Sequence, residues 1–293
     1  VTPPALDDRR RRDDLPGMRP LLALLLLALV LASPAAAAPR AELWERWTAH
    51  DPASAAAVDH SAWDRFLARY LRLPPDGRGA TRVAYGEVTP DDRRELERYV
   101  EGLAATRVSA LARDEQFAFW ANLYNALTVR VVLDRYPVRS IRDIDISPGW
   151  FADGPWGAKL VRVEGEELSL DDVEHRILRP IWRDPRVHYA VNCAAVGCPS
   201  LRPRAFRAAT LDADLDEAAR AFVNDPRGVR VEGGRVVASR IYAWFREDWG
   251  TDAAVLDHLR AHAAPALRAE LEGRTTIDGH AYDWSLNDAA PGG

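Results

Sequence analysis

Both cysteines of the 293-residue chain fall in one short stretch, VHYAVNCAAVGCPSL, residues 187–201. Cys193 and Cys198 enclose four residues, with Gly197 and Pro199 beside the second and His188 upstream. A thiol nucleophile needs a nearby base and a positive or dipolar setting to become a thiolate. The histidines of the neighbouring segments are His175 and His188, and Glu174 or Asn192 could orient one of them. The Gly-flanked loop offers backbone N–H groups to an oxyanion. In those roles Cys193, His188, Asn192 and His175 describe a cysteine hydrolase or acyltransferase acting on peptide or cell-wall amides.

A disulfide is the rival use of the same pair. Gly197 and Pro199 bend the loop tightly, and an even cysteine count in an exported chain favours pairing. Bridging requires Cα atoms within about 7 Å. So short a loop gives little entropic stabilisation, and its benefit would be local shape. The chain would then be a non-enzymatic envelope binding or scaffold module. C-x4-C has no second ligand pair, so the sequence indicates no metal site, and nothing in it indicates a cofactor.

The compartment is read from the N-terminus. RPLLALLLLALVLASPAAAA (19–38) has the basic start, apolar core and small-residue end of a secretory signal peptide, just after the only methionine, Met18. Residues 1–17 then read as an upstream over-extension and 18–37 as a cleaved signal, with a periplasmic or secreted product. The apolar run 21–32 is short for a membrane span, so no stable membrane insertion is expected after removal. The formal charge is −5 and Lys159 is the only lysine, which gives no basic stripe for nucleic acid. A peptide or an envelope component remains as a partner class. Ten tryptophans argue for a substantial core.

Elements must position these residues. Trp63, Phe66, Leu67 and Tyr70 recur at helical spacing, predicting a helix over 55–71. Thr89 as N-cap with Pro90 starts a second, to about Ala104. DEQFAFWANLYNALTVRVVLDRY predicts a central helix from Asp114 to about Tyr136, apolar almost all round and therefore buried. Residues 159–170 read as a hairpin. Ser169 with Asp172 resembles a capping box opening DDVEHRILR. Within that helix Glu174 and His175 point about 100° apart on ideal geometry, and His175 could simply meet terminal carbonyls. VHYAVNC (187–193) predicts a buried strand, with Cys193 on one face and His188 and Asn192 on the other. A helix over 212–223, a hairpin over 229–239, an aromatic helix IYAWFREDWG, a helix over 252–270 and a closing hairpin turning at Asp278-Gly279 complete the chain.

Asn122 and Asn125 are out of character inside an apolar helix. Either each tethers a neighbouring loop, or they line a polar cleft. The second reading groups Asn122, Asn125, His188 and Asn192, lined by Trp120, Tyr124 and Glu174, with His175 and the cysteine loop at the rim.

FAFWANLYNAL, LSLDDVEHRILRP, DPRVHYAVNCAAVGCPSLRP, the aromatic stretch before EDWG and the terminal YDWSLND resemble, in this order, the domain of unknown function 547 family. The blocks span roughly residues 113–288. The resemblance implies an exported bacterial protein and carries no established reaction. In papain- and transglutaminase-like enzymes the cysteine opens a central helix. Here that helix has none, so a cysteine enzyme would use the loop after residue 192. The organisation expected is a helical N-terminal preface (38–110) before the domain (111–290). The fold expected is α+β, with one mixed, largely antiparallel sheet packed on the central buried helix.

Overall fold

The computed structural model describes residues 39–75, 78–149 and 153–289. The chain divides into two units, Val1–Ala37 and Ala38–Gly293. The first lies outside the described residues, and with it the over-extension and the signal peptide read from the sequence.

Helix α1 (Ser61–Tyr70) buries Trp63, Phe66, Leu67 and Tyr70, the stripe that its spacing requires. It is shorter than expected at its front, where residues 55–60 are non-helical. Helix α2 (Pro90–Ala104) starts where Thr89 accepts from the Asp92 N–H, with proline in its first turn. Helix α3 (Arg113–Arg135) is the centre of the molecule, buried from Glu115 through Val129 without a break. Phe117, Trp120, Leu123, Tyr124 and Leu127 on it are each no more than 1% exposed. Such a helix must supply partners for any polar side chain it buries.

The strands among the described residues form three small sheets and not one. β1 (Leu71–Arg72) pairs with β2 (Arg82–Val83), and β3 (Val161–Val163) with β4 (Glu166–Leu168), both antiparallel. The third sheet is mixed: β5 (Val229–Glu232) and β6 (Arg235–Ser239) are antiparallel, and β7 (Gly279–Ala281) joins β6 in parallel. The expected terminal hairpin is therefore absent. Asp278 bonds the Val236 N–H with its carboxylate and the Val236 carbonyl with its own N–H, so it opens a strand beside β6 and no turn.

Residues 187–193 are the second correction. They form a helical turn, Val187–Ala190, followed by extended Val191. Asp184 and Pro185 start it, because the Val187 and His188 N–H groups bond their carbonyls. All four residues of the turn are buried. Val187 and Ala190 enter the core built on α3, while Tyr189 enters a second core with Phe222, Tyr242 and Trp249. A short apolar run sandwiched between two cores gives no periodicity that separates strand from helix.

The segment opened by Ser169 and Asp172 does form the expected reciprocal cap, at 2.8 and 3.1 Å. The helix it opens is a π-helix over Asp172–Leu178, continued by an α-turn at Arg179–Trp182. The aromatic stretch 241–249 is two single turns, Ile241–Trp244 and Arg246–Trp249. The helix expected over 252–270 is broken before Pro265 into Asp252–His262 and Pro265–Leu271.

Candidate functional site

The two cysteines are free thiols with sulfurs 3.0 Å apart. Cys198 is buried and Cys193 is partly exposed. The loop that holds them is fixed from four directions. Asn192 donates its amide to the Pro199 carbonyl at 2.7 Å and accepts the Ala194 N–H at 2.9 Å. Arg227 donates to the Val196 and Cys198 carbonyls at 2.7 and 2.8 Å. Gly197 lies against the chain at Asp283: a Cβ there would sit 2.6 Å from the Asp283 nitrogen, so no other residue fits unless the contact opens. Ala194 has φ +57°, in the left-handed region. That conformation costs a non-glycine residue roughly 1–2 kcal/mol. It is held by Asn192 and by the Asn287 N–H, which bonds the Ala194 carbonyl.

The Tyr282 hydroxyl lies 3.0 Å from Cys193 Sγ. The Cys198 S–H, despite the burial of Cys193, lowers the Cys193 thiol pKa below the usual thiol range, and Tyr282 adds to the effect. Burial pushes the Cys198 thiol up, and the charge forming on Cys193 pushes it further. The opposite directions of the two shifts assign the thiolate to Cys193 and the proton to Cys198, while the Cys193 backbone N–H donates to Cys198 Sγ at 3.0 Å and holds the two sulfurs together. Tyr282 itself belongs to an aromatic group: its ring centroid is 4.8 Å from that of Trp244 and 4.7 Å from that of Trp284.

His188 is not part of this pair. Its Nε2 donates to Asp248 Oδ2 at 2.6 Å, and its Nδ1 lies 3.5 Å from Glu174. The ring stacks between Phe245 and Trp249, with centroids 4.4 and 4.9 Å away. Arg179, 3% exposed, completes the cluster: it donates to Asp248 at 2.6 Å, to Glu247 at 2.8 Å and to the Pro39 carbonyl at 2.8 Å. It also donates to His175 Nδ1 at 3.0 Å. Burial alone would raise Glu174, but His175, His188 and Arg179 hold it at about 2. Burial drives His175 down to about 4. Asp248 stays below the usual carboxylate range because hydrogen bonds from His188 and Arg179 outweigh its burial. Glu174 and His175, expected to diverge, come within 4.0 Å of each other. The wider i→i+5 winding turns less per residue than an α-helix, so consecutive side chains splay less.

Of the expected cleft, Asn125 and Asn192 are brought together, while Asn122 is held at Phe206 and His188 at Asp248. Asn122 and Asn125 are loop tethers, the other reading open to them. Asn122 bonds both backbone groups of Phe206 at 3.0 Å. Asn125 accepts the Asn192 N–H at 2.8 Å and donates to the Ala190 carbonyl at 2.9 Å, which ends the turn before the thiol loop. Trp120 packs in the core, edge-on to Trp47 at 5.0 Å. Tyr124 is 1% exposed, and burial, with the charges of Glu174, Cys193 and Cys198, raises its hydroxyl pKa. Asn125→Ala should strand two buried backbone groups and cost about 1–3 kcal/mol. Urea unfolding measures it, and a loss under half a kilocalorie would mean water replaces the amide.

Tyr282, Arg227, Arg179 and Asp248 lie outside the candidate set that the sequence offers. Tyr282 and Asp248 stand in quoted blocks, YDWSLND and EDWG, but no local spacing ties them to residues many tens of positions away. Among the described residues no cluster of histidine, cysteine and carboxylate groups is arranged to hold a metal ion. No described helix is long and apolar enough to cross a membrane.

Neither a curated protein nor a solved structure matches the chain significantly. The family match covers α3, the π-helix and the thiol loop, and stops short of Asp248 and Tyr282. Residues 108–223 match the family described as Protein of unknown function, DUF547, so the resemblance read from FAFWANLYNAL and NCAAVGCPSL is a family match over that segment.

Proposed function

We propose that the chain is an exported thiol-dependent catalyst of thiol–disulfide exchange, with Cys193 as the attacking group and Cys198 as its resolving partner. The observation that carries the reading is the sulfur pair, 3.0 Å apart, with the Cys193 thiol lowered by Cys198 and Tyr282. Exchange needs a thiolate and a second thiol, and no histidine base. Cys193 attacks one sulfur of a substrate disulfide. That S–S bond breaks, a mixed disulfide forms, and the other substrate sulfur leaves and takes the Cys198 proton. Cys198, now a thiolate, attacks Cys193 Sγ and forms the intramolecular disulfide; the second substrate sulfur leaves as a thiolate and takes its proton from water. Two electrons pass from the protein dithiol to the substrate. Export rests on residues 19–38 and would place the pair where disulfides persist.

Hydrolysis or acyl transfer shares Cys193 but calls for His188 or His175 to reach it, and both are committed to Glu174, Asp248 and Arg179. A scaffold module needs only the bridged state. Alkylation by iodoacetamide, followed residue by residue by mass spectrometry, separates these. Cys193 should react first, with a midpoint below the ordinary thiol value of about 8.5, and Tyr282→Phe should move that midpoint upward. With glutathione disulfide, Cys198→Ser should trap a mixed disulfide at Cys193, while the unaltered chain closes the internal bridge. Faster alkylation of Cys198, or no trapped adduct, overturns the proposal. A bridge that resists dithiothreitol in the folded protein would favour the scaffold.

A further inference from the structure

A groove of about 700 Å³ runs along α2, far in sequence from the thiol loop. Small-molecule sites span about 300–1,000 Å³, so the volume suits an organic ligand. Its wall is one face of the helix: Glu95, Arg98, Tyr99, Gly102 and Leu103 recur at spacings of three and four. Opposite lie Val58, Ala62 and Leu111, so the body of the groove is apolar. Leu103 and Leu111 are 2% and 4% exposed and form its floor.

The charged groups there are not equivalent. Asp59 is occupied by the N–H and hydroxyl of Ser61, at 2.8 and 3.1 Å. Glu95 is paired with Arg65. The Tyr99 hydroxyl is turned inward to His60 Nδ1 at 2.6 Å. Arg98 and Arg107 have neither an ion pair nor a side-chain hydrogen bond among the described residues. Most arginines among the described residues hold a carboxylate or a carbonyl, and these two line the same groove. Gly102 sits on the helix face between them, and a Cβ built there meets nothing within 4 Å. The absent side chain leaves the groove open. Gly102 lies in the last turn of α2, which ends at Ala104.

We propose that this groove binds an amphipathic organic anion, its carboxylate or phosphate forked by Arg98 and Arg107 and its apolar chain lying on Val58, Leu103 and Leu111. Guanidinium groups favour such anions because they meet two oxygens at once. The same chemistry is offered by a free fatty acid and by the headgroup and chain of an anionic lipid in a bilayer.

The test titrates the full chain with decanoate below its micelle concentration, by calorimetry, beside decanol and decyltrimethylammonium. Saturable binding of decanoate alone is expected. Arg98→Glu and Arg107→Glu should each weaken it about tenfold or more, the effect of losing a charge-assisted contact. Gly102→Leu should abolish it by filling the groove, and its thermal midpoint should not fall, because leucine is the better helix residue. Equal binding of decanol or of the cation, unchanged affinity in Gly102→Leu, or no saturable binding would overturn the proposal. Co-sedimentation with phosphatidylglycerol vesicles identifies the source: capture that decanoate competes away assigns the ligand to the bilayer, and no capture assigns it to solution. Capture by vesicles without any binding of free decanoate would mean a surface charge effect, and the groove reading fails.

Discussion

Trp120→Ala is expected to lower the unfolding free energy by about 3–5 kcal/mol, the range for emptying a large aromatic site in a core. Trp120 is 1% exposed and meets Trp47 and Phe119 edge-on, at 5.0 and 4.8 Å. Trp47 comes from the segment before α1, so the cavity would open between that segment and α3. Urea denaturation measures the change, with tryptophan fluorescence and far-ultraviolet dichroism as parallel probes. A shift below 1 kcal/mol would mean that neighbouring rings collapse into the space. It would show the core to be far more plastic than close packing allows.

Arg179→Ala is expected to cost a similar amount, about 3–5 kcal/mol, through a different cause. The guanidinium neutralises Asp248 and Glu247 and closes on the Pro39 carbonyl. Its removal leaves Asp248 facing His188 alone and Glu174 without one of the cations that hold it near 2. Buried histidines, one in this cluster and two elsewhere, set the acid limb of stability. His175, His60 and His258 are each pushed down to about 4, from 6.5, with burial as the largest cause. A depressed value means that the unfolded chain binds these protons first. Their contribution is complete above pH 6.5 and is lost as pH falls toward 4. Glu174 acts in the same direction lower down, between 4.5 and about 2. Asp171 opposes them: burial raises it to about 6, so its contribution is lost as pH rises through that value. Unfolding free energies taken from pH 7.5 to pH 4 should therefore fall, with the steepest loss below pH 6.5. A flat profile would mean that the histidines are protonated in the folded state. In Arg179→Ala the His175 part of the fall should shrink, because Arg179 is among the charges that depress it.

The parts of this fold that local chemistry writes were readable in advance. Thr89 and Pro90 announce α2, Ser169 and Asp172 announce their cap, and the all-round apolarity of residues 114–136 announces burial. What failed depends on distant partners. Residues 187–193 have the composition of a strand, and only the two cores on either side make them a helical turn. Asp278-Gly279 is a good hairpin turn until β6 offers the Asp278 backbone a parallel partner. The site divides in the same way. The two cysteines were found because they are close in sequence. Strand alternation would aim His188 toward Asn125, whereas the turn aims it at Asp248, 60 residues onward. Arg227 carries no local mark and Tyr282 only its place in YDWSLND, since each acts by reaching the thiol loop from another part of the chain.

That reach sets a schedule for the newborn protein. Cys193 and Tyr282 are 89 residues apart. The segment carrying Tyr282 also supplies the Ser285 and Asp283 carbonyls that accept the Val196 and Gly197 N–H groups, and the bonds joining Asn287 to Val83 and Ala194. A ribosome adds roughly 5–20 residues per second, so this interval lasts on the order of ten seconds. Throughout it both thiols are already made, while the tyrosine that covers one of them and the backbone that shapes their loop are not. Whatever oxidant or chaperone meets the chain in that window meets an unguarded pair of sulfurs, and the completed fold inherits the outcome.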